Sequence, residues 1–169
     1  MTRLLLVAAI ALAALTGCGG DDEGGGEGGG GPSREEFVAD ANAICKEGEA
    51  KIDEITADGE QELRQASSDQ ERRGVVADLL DETAEAYEPY LDRLRDLEAP
   101  EEIAEDWQSF IERISSAFDR IPDLAEATRD GDEQRLSELT SEFSEIAEDT
   151  RPFAERHELD DCLPDEGTQ

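Results

Sequence analysis

The chain has 169 residues, 46 of them acidic and 15 basic, so its formal net charge at pH 7 is −31. So negative a surface repels phosphate backbones, which excludes nucleic acid as a partner. It would attract cations and basic partners. The alternative is that the acidic composition is shared by the whole proteome and is unrelated to binding.

Residues 1–17 have the layout of a cleaved export signal. Met1-Thr2-Arg3 supplies a positive start, and Leu4 to Leu15 are twelve uncharged residues, mostly leucine and alanine. This apolar run fits the central region of a signal peptide and is shorter than the roughly 20 residues that a spanning helix needs. We therefore predict a signal peptide over this segment.

The end of the apolar run is Leu15-Thr16-Gly17-Cys18. This tetrapeptide resembles the lipobox of bacterial lipoprotein signals. The resemblance implies that the peptidase recognises Leu15, Thr16 and Gly17, and that Cys18 carries a diacylglycerol and becomes the mature N-terminus. The protein would then be anchored to the cell membrane and would face its extracytoplasmic side. The alternative is an ordinary secretory signal with an incidental cysteine.

Residues 18–32 follow as a tether. Gly19 to Pro32 are fourteen residues, nine of them glycine, together with four acids. Such a segment cannot bury apolar surface, and we expect it to be disordered, with a root-mean-square span of roughly 20 Å.

Residues 33–169 carry the patterns of amphipathic helices. Ser33 and Glu36 match a capping box for a first helix that we expect to end near Asp58-Gly59. Asp69 is the expected cap of a second helix, kinked before Pro89. The apolar stripes of these helices are Phe37, Ala41, Ile44, Ile52 and Ile55, and then Val76, Leu80, Thr83, Tyr87, Tyr90, Leu94 and Leu97.

Pro100 marks the expected start of a third helix, which Pro122 kinks or ends. Gly131 and Asp132 predict a helix stop and a new cap. The stripes here are Ile103, Trp107, Phe110, Ile114, Phe118 and Ile121, followed by Leu136, Leu139, Phe143, Ile146, Thr150 and Phe153. Four such stripes joined by mostly short loops predict an all-α fold, an antiparallel up-down four-helix bundle behind the Gly-rich tether.

Three cysteines occur in the chain, and the lipid takes Cys18. Cys45 and Cys162 remain as an even pair in an oxidising compartment. Cys45 lies about 18 Å along the first helix, and the extended tail after the fourth helix can reach the same level. We therefore predict a Cys45–Cys162 disulfide; two free thiols or a redox pair are the alternative.

The mature domain also has a recurring layout. Ala41-Asn42-Ala43-Ile44-Cys45, Leu97-Glu98-Ala99-Pro100, Trp107, Gly131-Asp132 and the late Cys162 are its elements. In this layout the domain resembles small uncharacterised lipoproteins of high-GC Gram-positive bacteria. The resemblance implies no activity that could be carried over.

We found no residues that would support a specific reaction, so we expect neither an enzyme nor a cofactor or metal site. The only histidine, His157, lacks the Glu-x-x-His partner of di-iron bundles, and we expect it to be an exposed helix-end residue. Asp130-Gly131-Asp132-Glu133 lacks the ligand spacing of a calcium loop, because Leu136 falls on a ligand position.

Three classes of function remain open. The leading expectation is a monomeric, non-enzymatic envelope module that binds a protein, polymer or small ligand. The alternatives are an acidic surface spacer without a ligand and, third, an enzyme or a weak divalent-cation binder. An apolar groove near Pro89 and Pro122, with Tyr87, Tyr90 or Trp107 in its wall, would favour binding over spacing.

Overall fold

The computed structural model describes residues 31–163. This part of the chain is all-helical and contains no strand, which confirms the predicted fold class. Its elements are α1 (Arg34–Leu63), α2 (Asp69–Asp96), α3 (Ala104–Phe118), α4 (Ile121–Asp130), α5 (Glu133–Arg156) and a 3₁₀ turn (Asp160–Cys162). The predicted signal peptide at 1–17, Cys18 and nearly all of the tether lie outside the described residues.

Two capping boxes begin the first two helices. The Ser33 hydroxyl accepts a hydrogen bond from the Glu36 backbone amide, as the sequence predicts. For α2 the predicted cap was wrong by one residue: the cap is Ser68, which has extended backbone angles and accepts from the amide of Glu71 at 3.2 Å. Asp69 is the first helical residue and pairs instead with Arg72.

Helix α1 runs to Leu63, so the predicted end near Asp58-Gly59 was also wrong. Gly59 is buried, and a Cβ built on it would lie 2.8 Å from Cδ1 of Leu79 on α2. The glycine therefore allows two helices to approach each other closely and does not stop the helix.

The predicted third helix is two helices. The first of these, α3, begins at Ala104 and not at Pro100. Pro100 belongs to the preceding turn, in which the Ile103 amide donates to the Pro100 carbonyl at 3.0 Å. The break before α4 places Pro122 in the first turn of the new helix. Amides in the first turn have no partner within the helix, so the missing amide proton of proline costs no hydrogen bond.

The junction between α4 and α5 has the predicted stop and cap. Gly131 adopts a left-handed conformation with φ of 70°, and the Asp132 side chain accepts from the Arg135 amide at 3.0 Å. These two residues turn the chain within three positions.

The main core lies where the start of α1, the end of α2, α3 and the end of α5 meet. Trp107 is at its centre, with the Phe37 ring edge-on at 4.9 Å and Phe110 stacked at 5.5 Å. The buried members are Phe37, Ala41, Ile44, Cys45, Leu94, Ile103, Trp107, Phe110, Ile111, Ala154 and Leu159. Away from this core α2 packs between α1 and α4, and small residues such as Ala77, Ala125 and Ala127 are buried there.

The contacts between α1 and α2 run in opposite sequence order. Gly59 faces Leu79, and Gly48, eleven residues earlier, faces Tyr87. The chain returns to α1 at its end, since the 3₁₀ turn packs against that helix. Helix α3 packs against α5 and α2 on one side of the core. One of its faces is directed at the connection that follows α2.

Candidate functional site

A cleft of about 650 Å³ runs along α3, between this helix and the end of α2 with the connection that follows. Apolar side chains form its floor: Leu97, Ala99, Ala104, Trp107 and Ile111. Polar side chains form its rim: Arg95, Glu98, Gln108, Glu112, Ser115, Ser116 and Asp119. The volume falls within the range of ligand sites in proteins, which is roughly 300–1,000 Å³.

The helical period explains why these residues share one wall. Ala104, Trp107, Ile111 and Ser115 recur every three or four positions and follow one face of α3. The Ser115 hydroxyl donates to the Ile111 carbonyl at 2.7 Å, so it is satisfied within its own helix. From Ala104 to Asp119 the wall extends roughly 22 Å at 1.5 Å per residue.

Trp107 joins the cleft to the core. Its side chain is 4% exposed, and its indole Nε1 is buried with no hydrogen-bond partner among the described residues. An unpaired buried donor costs about 1–3 kcal/mol, so few remain in folded proteins. Trp107 therefore lines the cleft while its indole N–H is buried beneath the surface.

The rim of the cleft is negatively charged. It contains three carboxylates, Glu98, Glu112 and Asp119, and one cation, Arg95. Arg95 pairs with Asp92 at 2.7 Å, so its charge is partly compensated within α2. The field at the cleft therefore favours positively charged ligands.

The cleft lies close to the point where the chain enters the folded domain. A Cβ built on Gly31 would be 3.9 Å from Oε1 of Glu98 at the rim. Gly31 belongs to the predicted tether, at its junction with α1. The end of the domain that carries the cleft is consequently also the end at which the tether attaches.

A second, smaller recess of about 240 Å³ lies between α3 and α5. An ion pair between Arg113 and Asp149 crosses from one helix to the other at this recess. Phe110 and Phe153, 5.0 Å apart, are also among its lining residues. Because it is smaller and an ion pair crosses it, the recess is a poorer candidate than the cleft along α3.

The structure brings Cys45 and Cys162 together at disulfide distance, with 2.03 Å between the sulfurs and 5.0 Å between the Cα atoms. Sequence reasoning identified this pair but did not identify Asn42, which holds the same tail. The Asn42 amide donates to the Glu158 carbonyl at 2.8 Å, and its oxygen accepts from the Asp161 amide at 3.2 Å. The sequence signal for this contact was the position of Asn42, about one helical turn before Cys45.

His157 was predicted to be exposed, and this was wrong. It ends α5 and its amide bonds to the last turn as expected, but its side chain is 5% exposed and lies against Phe153. Burial and the nearby Arg34 and Arg156 lower the pKa of the imidazole.

Other predicted features can be placed in the same way. Tyr87 stacks on Phe118 at 4.3 Å and packs against Gly48, so of the three aromatic residues expected in a groove only Trp107 lines the cleft. Within residues 31–163 no group of histidine, cysteine and acidic side chains is arranged to hold a metal ion. No helix in this range is long and apolar enough to cross a bilayer. Leu15, Thr16, Gly17 and Cys18 lie before the described range.

Comparisons with protein-family models, with curated proteins and with solved structures gave no match to this chain.

Proposed function

We propose that this protein is a lipid-anchored binding module of the bacterial cell envelope and that the cleft along α3 is its ligand site. The observation that carries the proposal is the cleft itself, with an apolar floor and a charged rim. A concave apolar site with a few polar groups is what a ligand site requires. A charge-bearing spacer would need no such feature.

The anchoring part of the proposal is supported by residues 1–32. The lipobox resemblance at Leu15–Cys18 assigns a diacylglycerol to Cys18, and two acyl chains are sufficient for stable membrane binding. The Gly-rich tether then lets the domain face the extracytoplasmic side. Because Gly31 lies at the rim beside Glu98, the cleft would be held on the membrane-facing end of the domain.

For the domain we propose an up-down bundle of four helical rods, in which α3 and α4 together make the third rod. The proposal is supported by contacts that join the late part of one rod to the early part of its neighbour. Gly59 near the end of α1 faces Leu79 in the first half of α2, and Asp78 of α2 pairs with Arg129 at the end of α4. The disulfide between Cys162 and Cys45 joins the C-terminal tail to α1 and so closes one end of the bundle. We further propose that the protein is not an enzyme and that it acts without a cofactor and as a monomer.

Site-specific photo-crosslinking tests the proposal. A photoreactive residue would replace Gln108, which is exposed on the cleft rim, in the full-length protein expressed with its own signal in a bacterial host. The matched control would carry the same residue at Glu145, exposed on α5. Mass spectrometry should find one recurrent adduct at position 108 and not at position 145.

Equal labelling at the two positions, or none at position 108, would refute a binding role for the cleft. The acidic spacer would then be the better description, since it requires only the charge of −31 and the tether.

A further inference from the structure

We infer that the ligand of this cleft is an extended peptide segment that carries basic and apolar side chains in turn. The inference rests on the proposed function, because it specifies the partner of the same cleft. Three properties of the site support it: its length, its charge and its apolar floor.

The length of the cleft suits a chain better than a compact molecule. Its wall follows α3 from Ala104 to Asp119, which is roughly 22 Å. An extended peptide advances about 3.3–3.6 Å per residue, so about six residues would span the cleft. The cleft has a volume of about 650 Å³ and is open to solvent along one side.

The charges along the rim favour a basic sequence. Glu98 and Asp119 are exposed and form no ion pair within residues 31–163, and Glu112 accepts only a long hydrogen bond from Gln108 at 3.4 Å. These carboxylates are distributed from one end of the cleft to the other, since Glu98 precedes α3 and Asp119 follows its last residue. Alternate lysine or arginine side chains of an extended segment point to one side and could reach them.

The floor accounts for the other half of the ligand. Leu97, Ala99 and Ala104 are half-buried and offer apolar surface to the side chains that point the opposite way. One ligand class therefore satisfies the floor and the rim together.

The test uses the full-length acylated protein in nanodiscs of zwitterionic lipid, with empty nanodiscs as the blank. The probe is a capped hexapeptide of alternating leucine and lysine. Two matched hexapeptides serve as controls: leucine with glutamate removes the positive charge, and serine with lysine removes the apolar side chains. Affinity is measured by fluorescence anisotropy of the labelled peptides, and only the leucine–lysine probe should bind saturably.

A charge of −31 could attract any basic peptide, so the variants must separate the cleft from the general field. The cleft variant is Glu98→Gln with Glu112→Gln and Asp119→Asn. The control variant is Glu145→Gln with Glu148→Gln and Asp58→Asn, which removes the same charge from exposed positions elsewhere. The cleft variant should weaken binding about tenfold, as the loss of three exposed ion pairs implies, and the control variant less than about twofold.

Trp107 provides a second readout. It is the single tryptophan, so a ¹⁵N-labelled protein has one indole N–H resonance. That resonance should shift on addition of the leucine–lysine probe and remain in place with the serine–lysine control.

Equal weakening in both variants, an unmoved indole resonance, or equal binding of the glutamate peptide would each overturn the inference. If Gln108 still forms a specific adduct in cells in that case, the cleft binds another class of ligand and the proposed function stands. If the adduct is also absent, both proposals fail.

Discussion

Gly48 of α1 lies directly against the ring of Tyr87 on α2. A Cβ built on this glycine would be 2.4 Å from Cε2 of the tyrosine, closer than carbon atoms can approach. The ring cannot retreat freely, because its other face stacks on Phe118 at 4.3 Å with 5° between the planes. One glycine thus sets the distance between two helices and, through Tyr87, the place of a residue from α3.

We expect Gly48→Ala to destabilise the protein. Alanine favours a helix over glycine by about 1 kcal/mol, but overpacking a close contact costs about 1–3 kcal/mol. The free energy of unfolding, measured by urea titration with circular dichroism, should fall by up to about 2 kcal/mol.

Gly74→Ala is the matched control in α2. A Cβ there meets no atom within 4 Å, so only the helix preference remains. The free energy of unfolding should rise by about 0.5–1 kcal/mol. If Gly48→Ala were also stabilising, the close approach to Tyr87 would not constrain the helix pair.

The second prediction concerns the Cys45–Cys162 pair, which closes a loop with a sequence separation of 117. Replacing both cysteines with alanine should lower the free energy of unfolding by about 4–5 kcal/mol, since in the chain-entropy model the cross-link restricts the unfolded chain. A thiol titration of the folded, non-reduced protein is the accompanying measurement, and it should detect no reactive thiol from this pair. Two reactive thiols would contradict the disulfide.

Asn42 should contribute separately from the disulfide. Asn42→Ala removes the donor to the Glu158 carbonyl and the acceptor for the Asp161 amide, and it should cost about 1–3 kcal/mol under non-reducing conditions. Amide hydrogen exchange at Asp161 should accelerate in this variant. Ala43→Ser, at the exposed neighbouring position, should change neither quantity.

Local patterns in the sequence predicted much of this fold. Periodic apolar residues predicted α1, α2 and α5 and assigned α3 and α4 to one helix that Pro122 kinks or ends. The chemistry of Ser33, Gly131 and Asp132 predicted three of the helix ends. The same reasoning failed at Gly59, because a glycine that ends a helix and a glycine that admits a neighbouring helix look alike until the partner, Leu79, is known.

The candidate site was less accessible from the sequence. Trp107 could be named as a wall residue, but its unpaired Nε1 depends on what surrounds it in three dimensions. Likewise, His157 follows a helix and was expected to be exposed by position, whereas its side chain is buried and is influenced by Arg34 at the start of α1. Long-range contacts of this kind leave no periodic pattern.

His157 should make stability depend on pH. Its folded pKa lies below the ordinary value of 6.5 because of burial and of Arg34 and Arg156, with Asp106 opposing them. Above pH 6.5 the imidazole is neutral in both states, so stability is complete; as the pH falls below 6.5, only the unfolded state takes up a proton, and stability is lost until the folded pKa is reached.

Urea titrations of the wild type and of His157→Gln between pH 7.5 and 5 would measure this. The carboxylates titrate in both proteins, so the difference between the two free energies of unfolding isolates the histidine. The advantage of the wild type should shrink as the pH falls. A difference that is constant with pH would show that His157 has an unperturbed pKa.

The last prediction concerns Cys18 and decides where the protein is located. Expressed in a bacterial host, the wild-type chain should sediment with membranes and dissolve only in detergent, because two acyl chains hold it stably in the bilayer. Mass spectrometry should find a diacylglycerol on Cys18 and no residue before it. Cys18→Ala should abolish both the lipid and the membrane association, whereas Thr16→Ala, at the variable position of the lipobox, should preserve them. Wild-type protein with an unmodified thiol at Cys18, or with Leu15–Gly17 still attached, would contradict the anchor, while the folded domain of residues 33–163 and its cleft would be unaffected by that result.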